Sequence, residues 1–81
     1  MEIELLLFAS LRDAIGSSKM KIDLPAGATV ADLLGRVGED HPELLSKLAH
    51  VRVAIGDEFA NNDAMIPNDQ EIALIPPVSG G

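Results

Sequence analysis

Hydrophobic and polar residues alternate along several short stretches of the chain, and this period of two predicts β-strands. The predicted strands are residues 1–9, 19–24, 51–55 and 70–75, with a brief additional strand at 64–66. In the first strand, Ile3, Leu5 and Leu7 share one face. Leu6 and Phe8 fall on the opposite face, which begins with acidic residues, so we expect these two side chains to meet solvent.

A helical period replaces the alternation in the middle of the chain. Thr29 and Asp32 have the spacing of a weak capping box, and apolar residues follow Val30 at intervals of three, four and seven. This pattern predicts an amphipathic helix that ends at Gly38. A second, shorter helix is predicted after it, with three inward-facing leucines: Leu44, Leu45 and Leu48.

A short helical turn is also predicted between the first two strands. Ser10 is a suitable N-cap for it, and Gly16 is a suitable terminator because glycine readily adopts the left-handed conformation.

The order of these elements indicates the fold. A strand hairpin, a crossing helix and further strands give a mixed sheet with the helix packed on one face. This is the ubiquitin-like β-grasp arrangement, an α+β fold in which the first and last strands run parallel at the centre of the sheet. The helix would cover the face of Ile3, Leu5 and Leu7, and would leave Leu6, Phe8 and Ile75 clustered on the open face. A contiguous apolar patch of this kind marks a partner surface, unless another segment covers it or the two faces are inverted.

Composition narrows the function classes. The 81 residues predict a single domain. The chain has no cysteine, which excludes disulfides, thiolate metal sites and a cysteine nucleophile, and its two histidines have no third ligand in a metal-site spacing, so no metal site is predicted. The net charge of −7 disfavours nucleic acid and anionic membranes and suits a basic protein partner. With no signal peptide or membrane-spanning run in the sequence, we expect a cytoplasmic protein.

The chain ends in a stretch that is unlike the rest, PPVSGG. Pro76 and Pro77 cannot donate hydrogen bonds to a sheet and stiffen the exit from the last strand. From Val78 onward nothing in the sequence anchors the backbone, so residues 76–81 are predicted to be a flexible tail. Gly80 and Gly81 have no side chains and allow the backbone to approach an active site closely. An ordinary frayed terminus is the alternative interpretation.

Two stretches resemble a known family, the small, sulfur-carrying subunit of molybdopterin synthase. LLLFASLRDAIG, at residues 5–16, is similar to its opening, and DQEIALIPPVSGG, at residues 69–81, is similar to its close. Two positions depart from the family pattern. Gly56 stands where relatives often have Asn, and Ile75 stands where Phe is common.

The resemblance implies a function for the tail. In this family a ubiquitin-activating-like adenylyltransferase uses ATP and Mg to adenylate the C-terminal carboxylate, here that of Gly81. A sulfur donor then converts the adenylate to a thiocarboxylate. The tail delivers this sulfur to cyclic pyranopterin monophosphate in the large catalytic subunit, where the dithiolene of molybdopterin forms. The carrier itself binds no cofactor, and its synthase is expected to contain two large and two small subunits.

The resemblance also assigns roles to other residues. Gly80 provides clearance inside the partner tunnels. The partner-binding surface is expected to comprise Leu6, Phe8, Ile75, Pro76, Pro77, Val78 and Ser79.

Three alternatives stay open at the level of sequence. A sulfur carrier for thiazole synthesis shares the fold and the Gly-Gly end. A ubiquitin-like protein modifier shares the activation chemistry. A plain β-grasp binding module with an inert tail requires neither. The sequence offers no cluster of residues for autonomous catalysis, because the serines lack a nucleophile context and the carboxylates are typical of a solvated surface.

Overall fold

Mixed pairing joins the strands of this chain into one sheet. The computed structural model describes residues 1–76, and within them the strands follow the order β2-β1-β5-β3-β4, with β2 and β4 at the two edges. The strands are β1 (Glu2–Leu7), β2 (Lys19–Asp23), β3 (Arg52–Ile55), β4 (Glu58–Ala60) and β5 (Ile72–Ile75). The helices are α1 (Ala9–Ile15), α2 (Val30–Asp40) and α3 (Leu45–Leu48), the last preceded by a 3-10 turn at Pro42–Leu44.

The first and last strands lie side by side and run parallel, as predicted. Their register pairs Leu5 with Ile72 and Leu7 with Leu74, while all other strand pairs are antiparallel. Such a parallel pair needs a long crossover connection, which α2 and the segments around it supply. The predicted α+β, ubiquitin-like β-grasp fold is confirmed.

One hydrophobic core lies between the sheet and the helices. The strand residues Ile3, Leu5, Leu7, Ile72 and Leu74 are at most 4% exposed, and they belong to the same buried cluster as Val30, Leu33 and Val37 of α2. The capping box at the start of α2 is present. The Thr29 hydroxyl accepts a hydrogen bond from the Asp32 amide at 3.3 Å, and the Thr29 amide donates one to the Asp32 carboxylate at 3.0 Å.

The end of α2 differs from the prediction. The helix continues past Gly38 to Asp40, and Gly38 lies buried inside it. A Cβ atom at Gly38 would lie 2.6 Å from Cδ2 of Leu45, so this glycine provides room for the following helix rather than ending its own. Leu45 was predicted to face inward, but it is 58% exposed, because it packs against Gly38 from outside the core.

The start of α1 also differs. The helix begins at Ala9, and Phe8, not Ser10, occupies the N-cap position. The Phe8 carbonyl accepts hydrogen bonds from the amides of Leu11 and Arg12, at 3.1 and 3.4 Å. Ala9 has a positive φ of 49°, an uncommon conformation for alanine that turns the chain sharply out of β1. The C-terminus of α1 is as predicted, with Gly16 in the left-handed conformation.

The minor strand lies earlier in the chain than predicted. It is β4, at Glu58–Ala60, and the predicted strand at 64–66 is reduced to a single bridge between Met65 and Thr29. Gly56, at φ 61°, takes part in the tight turn that folds β4 back on β3. Among residues 1–76, no helix combines the length and the apolar character that crossing a membrane requires.

Candidate docking face and C-terminal arm

The face of the sheet that points away from the core carries an apolar band. Strand register aligns Leu6 of β1 with Ala73 of β5, Ala73 with Ala54 of β3, and Ala54 with Phe59 of β4. Each of these residues alternates with a residue of the covered face, so one row of apolar side chains crosses four strands. Ile75 and Phe8 continue the band toward the end of the sheet where β5 finishes. We call these six residues the open band.

The open band is exposed to different degrees along its length. Phe8 and Phe59 are 44% and 58% exposed, while Leu6 and Ile75 are half-buried. The three residues predicted to cluster on the uncovered face, Leu6, Phe8 and Ile75, therefore do lie on it. Among residues 1–76, no helix covers the sheet face that these residues share. The buried helix residues belong to the core on the opposite face.

Sequence reasoning missed the third of the open band that lies on β3 and β4, namely Ala54 and Phe59. Phe59 lies in a stretch, residues 56–63, whose polar and turn-forming residues favour a loop, and Ala54 gives no signal of its own. The alternation of the last strand, by contrast, places Ala73 on the face of Ile75. The guanidinium carbon of Arg52 lies 4.4 Å from the centroid of the Phe59 ring, which is cation–π contact distance. Arg52 is also the register partner of Ile75. Only the pairing of β4 with β3 and of β3 with β5 brings these residues together, and a single sequence does not state such pairings.

Charge is distributed unevenly between this face and the remainder of the molecule. The strands present three acidic and three basic side chains on the open face, namely Glu2, Glu4, Asp23, Lys19, Lys21 and Arg52. Four of these side chains form two long ion pairs, Lys19 with Glu4 at 3.9 Å and Lys21 with Glu2 at 4.0 Å. These six strand charges sum to zero, whereas Glu71, which precedes Ile72 and lines one pocket with Glu4 and Leu6, adds negative charge at the border of this face. Most of the net charge of −7 therefore lies elsewhere.

Residues 76–81, the predicted tail, are called the C-terminal arm from here on, and they begin next to the open band. Strand β5 ends at Ile75, and the following residue, Pro76, is buried. Pro76 is therefore held against the domain at the point where the chain leaves the sheet. Pro77, Val78, Ser79, Gly80 and Gly81 lie outside the described residues, so the roles predicted for them remain predictions. Among residues 1–76, no three histidine, aspartate or glutamate side chains are grouped as a metal site would require.

The sequence model of one protein family, described as the ThiS family, matches residues 5–81, nearly the whole chain. The chain belongs to the ThiS family. Among relatives of this ThiS-family chain is the molybdopterin synthase sulfur carrier subunit of Dictyostelium discoideum. It is 35% identical over 83 residues, and the match covers 99% of this chain and 96% of the relative.

Solved structures show the same fold. The crystal structure of SAMP1 from Haloferax volcanii superposes with a TM-score of 0.86 at 34% identity, and the match covers 100% of both chains. A chain in the complex of subunits 1 and 2 of molybdopterin-converting factor from Helicobacter pylori superposes with a TM-score of 0.67 at 22% identity, again over 100% of both chains. The family resemblance read from the two ends of the sequence is thus confirmed along its length.

Proposed function

We propose that this ThiS-family chain is the sulfur carrier subunit of molybdopterin synthase. The observation that carries the proposal is the full-length match to relatives of that name, including a 32% identical one from Arabidopsis thaliana that spans 100% of this chain. The described structure agrees with a carrier rather than an autonomous enzyme in one further respect. It presents an apolar docking band directly beside the origin of a side-chain-poor arm, which is the arrangement a covalent carrier needs.

The proposed chemistry takes place at the C-terminal carboxylate of Gly81. A carboxylate is a poor electrophile until one of its oxygens becomes a good leaving group. In the proposed first step, a carboxylate oxygen attacks the α-phosphorus of ATP on an adenylyltransferase partner, and pyrophosphate leaves. Sulfur at the oxidation level of sulfide then attacks the carbonyl carbon and displaces AMP. The product is a thiocarboxylate, with ATP and Mg bound by the partner and not by this chain.

The second partner is proposed to be the large catalytic subunit of the synthase, in an assembly of two large and two small subunits. The full-length matches to relatives named as the sulfur carrier subunit of the synthase support a second subunit as the partner. The open band would dock on that subunit, and the arm would place Gly81 at its active site, with Gly80 providing clearance. A contact of this kind needs apolar residues at its centre and polar residues at its rim, and the open face has both.

A role as a protein modifier is the second candidate, because the chain is also similar to a small archaeal modifier protein. Both roles begin with an adenylated C-terminus, so they separate only at the acceptor. A carrier gives its sulfur to a small molecule, whereas a modifier forms an isopeptide bond with a lysine. The number of relatives with the synthase name favours the carrier.

Intact-mass measurement tests the carrier role. The protein is incubated with its adenylyltransferase, ATP, Mg and a sulfur donor, and we expect the mass to rise by the difference between one sulfur and one oxygen atom. Gly81→Ala is expected to slow this conversion, and removal of Gly81 to abolish it, without changing thermal unfolding. Gly35→Ala, a glycine substitution on the exposed side of α2, is the matched control and should convert normally.

The acceptor is identified in a second reaction. Adding the large subunit and cyclic pyranopterin monophosphate should consume the thiocarboxylate and form molybdopterin. If the protein instead accumulates on lysines of other proteins, it is a modifier. If an active adenylyltransferase produces no mass change, the arm is inert and the proposed function is wrong.

A further inference from the structure

Arg52 is a charged residue that lies among the apolar residues of the open band. It lies between two of the band's residues, since it is the register partner of Ile75 and its guanidinium carbon is 4.4 Å from the Phe59 ring centroid. No carboxylate among residues 1–76 forms a salt bridge with it, whereas Lys19 and Lys21 on the same face each have a glutamate within 4.0 Å. Arg12 and Lys47 likewise form no salt bridge among residues 1–76, so what distinguishes Arg52 is its position against the Phe59 ring within the open face.

A shallow pocket next to Arg52 is also without acidic side chains. Its lining comprises Phe59, Ala60, Asn61 and Asn62 together with Arg52 and its strand neighbours, and contains no acidic residue. The Asn61 carboxamide oxygen accepts a hydrogen bond from the Asp63 amide at 3.1 Å, which leaves its NH2 group as a donor. The pocket therefore offers a guanidinium and an amide donor, and the groups that line it attract negative charge.

The ring of Phe59 prepares the guanidinium for such a ligand. A guanidinium held over an aromatic face keeps the N–H groups at its edge available, and those groups match a carboxylate in two parallel hydrogen bonds. The contact with the ring also restricts the rotamers of a long side chain before any partner arrives. Less conformational freedom is then lost on binding than for an unrestrained arginine.

Docking through the open band would remove water from Arg52. A partner that covers both Ile75 and Phe59 covers the residue between them, and a guanidinium that loses water without gaining a counter-charge strongly opposes binding. The partner must therefore provide an anion at this point. A protein carboxylate in a contact that excludes water meets both the geometry and the charge.

We infer that Arg52, held by Phe59, is a specificity-determining residue that binds an acidic side chain of the large catalytic subunit. The inference rests on the proposed function, because it takes that subunit as the partner of the open band. It also distinguishes two electrostatic contributions to the contact with the large subunit, one at the rim of the contact and one in its interior. The net charge of −7, most of which lies outside the open face, suits basic residues at the rim of the contact, while Arg52 requires one acidic residue within it.

Binding of charge variants to the purified large subunit tests this inference, with the dissociation constant measured by titration calorimetry. We expect Arg52→Gln to weaken binding about 10- to 100-fold, and Arg52→Glu to weaken it further because two carboxylates then face each other. Arg52→Lys keeps the charge without the fork of donors and should lie between wild type and Arg52→Gln. Arg36→Glu makes the same change of charge on exposed α2, and we expect it to change binding less than about threefold. Unfolding midpoints of all variants verify that the domain is intact.

A reciprocal experiment identifies the acidic residue. Each aspartate and glutamate of the large subunit's contact surface is changed to lysine, and one of these variants should restore the binding of Arg52→Glu. Equal weakening by Arg52→Glu and Arg36→Glu would show a general charge effect and overturn the inference. So would normal binding of Arg52→Glu alongside weakened binding of Phe8→Ala. If neither Arg52→Glu nor Phe8→Ala weakens binding, docking through the open band is wrong as well.

Discussion

The two faces of this sheet are made from the same strands and have opposite properties. On the covered face, Leu5 and Leu74 are fully buried beneath α2. On the open face, Phe8 and Phe59 keep about half of their surface in solvent. Neighbouring residues of one strand thus experience either a packed core or water, although their hydrophobicity is similar.

The difference shows how the alternation of a strand divides two tasks. Burial of an aliphatic side chain contributes directly to the free energy of unfolding. An exposed apolar side chain contributes little to the free energy of unfolding and remains available to bind a partner. Since side chains alternate with a period of two, a one-residue shift of register would exchange the two sets. Stability and binding are therefore expected to respond to different residues of β1.

The largest expected effect separates two adjacent leucines. Leu5→Ala removes a fully buried side chain and should lower the free energy of unfolding by about 2–5 kcal/mol. Leu6→Ala makes the same chemical change one residue later, on the half-buried open face, and should lower it by about 1 kcal/mol or less. Urea denaturation of the two variants measures the difference. Equal losses would mean that the open face contributes to folding as much as the core does.

The next effect concerns binding alone. Phe8→Ala should leave the urea midpoint nearly unchanged, because Phe8 is 44% exposed, and should weaken binding to the large subunit by more than about 1 kcal/mol if it is an anchor of the contact. Calorimetric titration measures the binding. A variant that unfolds more easily but binds normally would assign Phe8 to the core and reverse our description of this face.

The smallest effect concerns the helix that covers the core. Gly35 lies on the exposed side of α2 with open space where a Cβ atom would be, so Gly35→Ala should stabilise the protein by about 0.5–1 kcal/mol through helix propensity. Gly38→Ala brings the same propensity but places a Cβ atom 2.6 Å from Leu45 Cδ2, so it should gain less or lose stability. The thermal unfolding midpoints of the two variants measure this difference in stability. An equal gain at Gly38 would mean that Leu45 moves aside freely.

Much of the fold follows from local pattern. The period-2 runs, the capping box at Thr29 and the glycine that ends α1 are properties of a few consecutive residues, and the structure contains all three. The parallel pairing of β1 and β5, the first and last strands in the sequence, could be predicted from the order of the elements. The errors arose where tertiary contacts outweigh local signals. Leu45 has the spacing of a buried leucine, yet Gly38 lets it pack from outside.

The candidate site divides in the same way. Leu6, Phe8 and Ile75 lie on strands with clear alternation, so their shared face was visible in the sequence. Strand β4 is three residues long and begins with a glutamate, which resembles a turn more than a strand. Phe59 and Arg52 become neighbours only through the hairpin of β3 and β4, and their contact is a product of pairing and not of composition.

The short and charged edges of the sheet have a consequence for solubility. A sheet with an uncovered apolar face and free edges can add strands from other copies of itself and grow into aggregates. Here one edge strand has only three residues, and the other, β2, carries Lys19 and Lys21 at alternating positions. The three-residue edge offers little backbone for a second chain to pair with, and the lysines of β2 oppose pairing at the other edge. We therefore expect the edges to oppose the growth of the sheet from copy to copy while the apolar face stays in solvent for a partner.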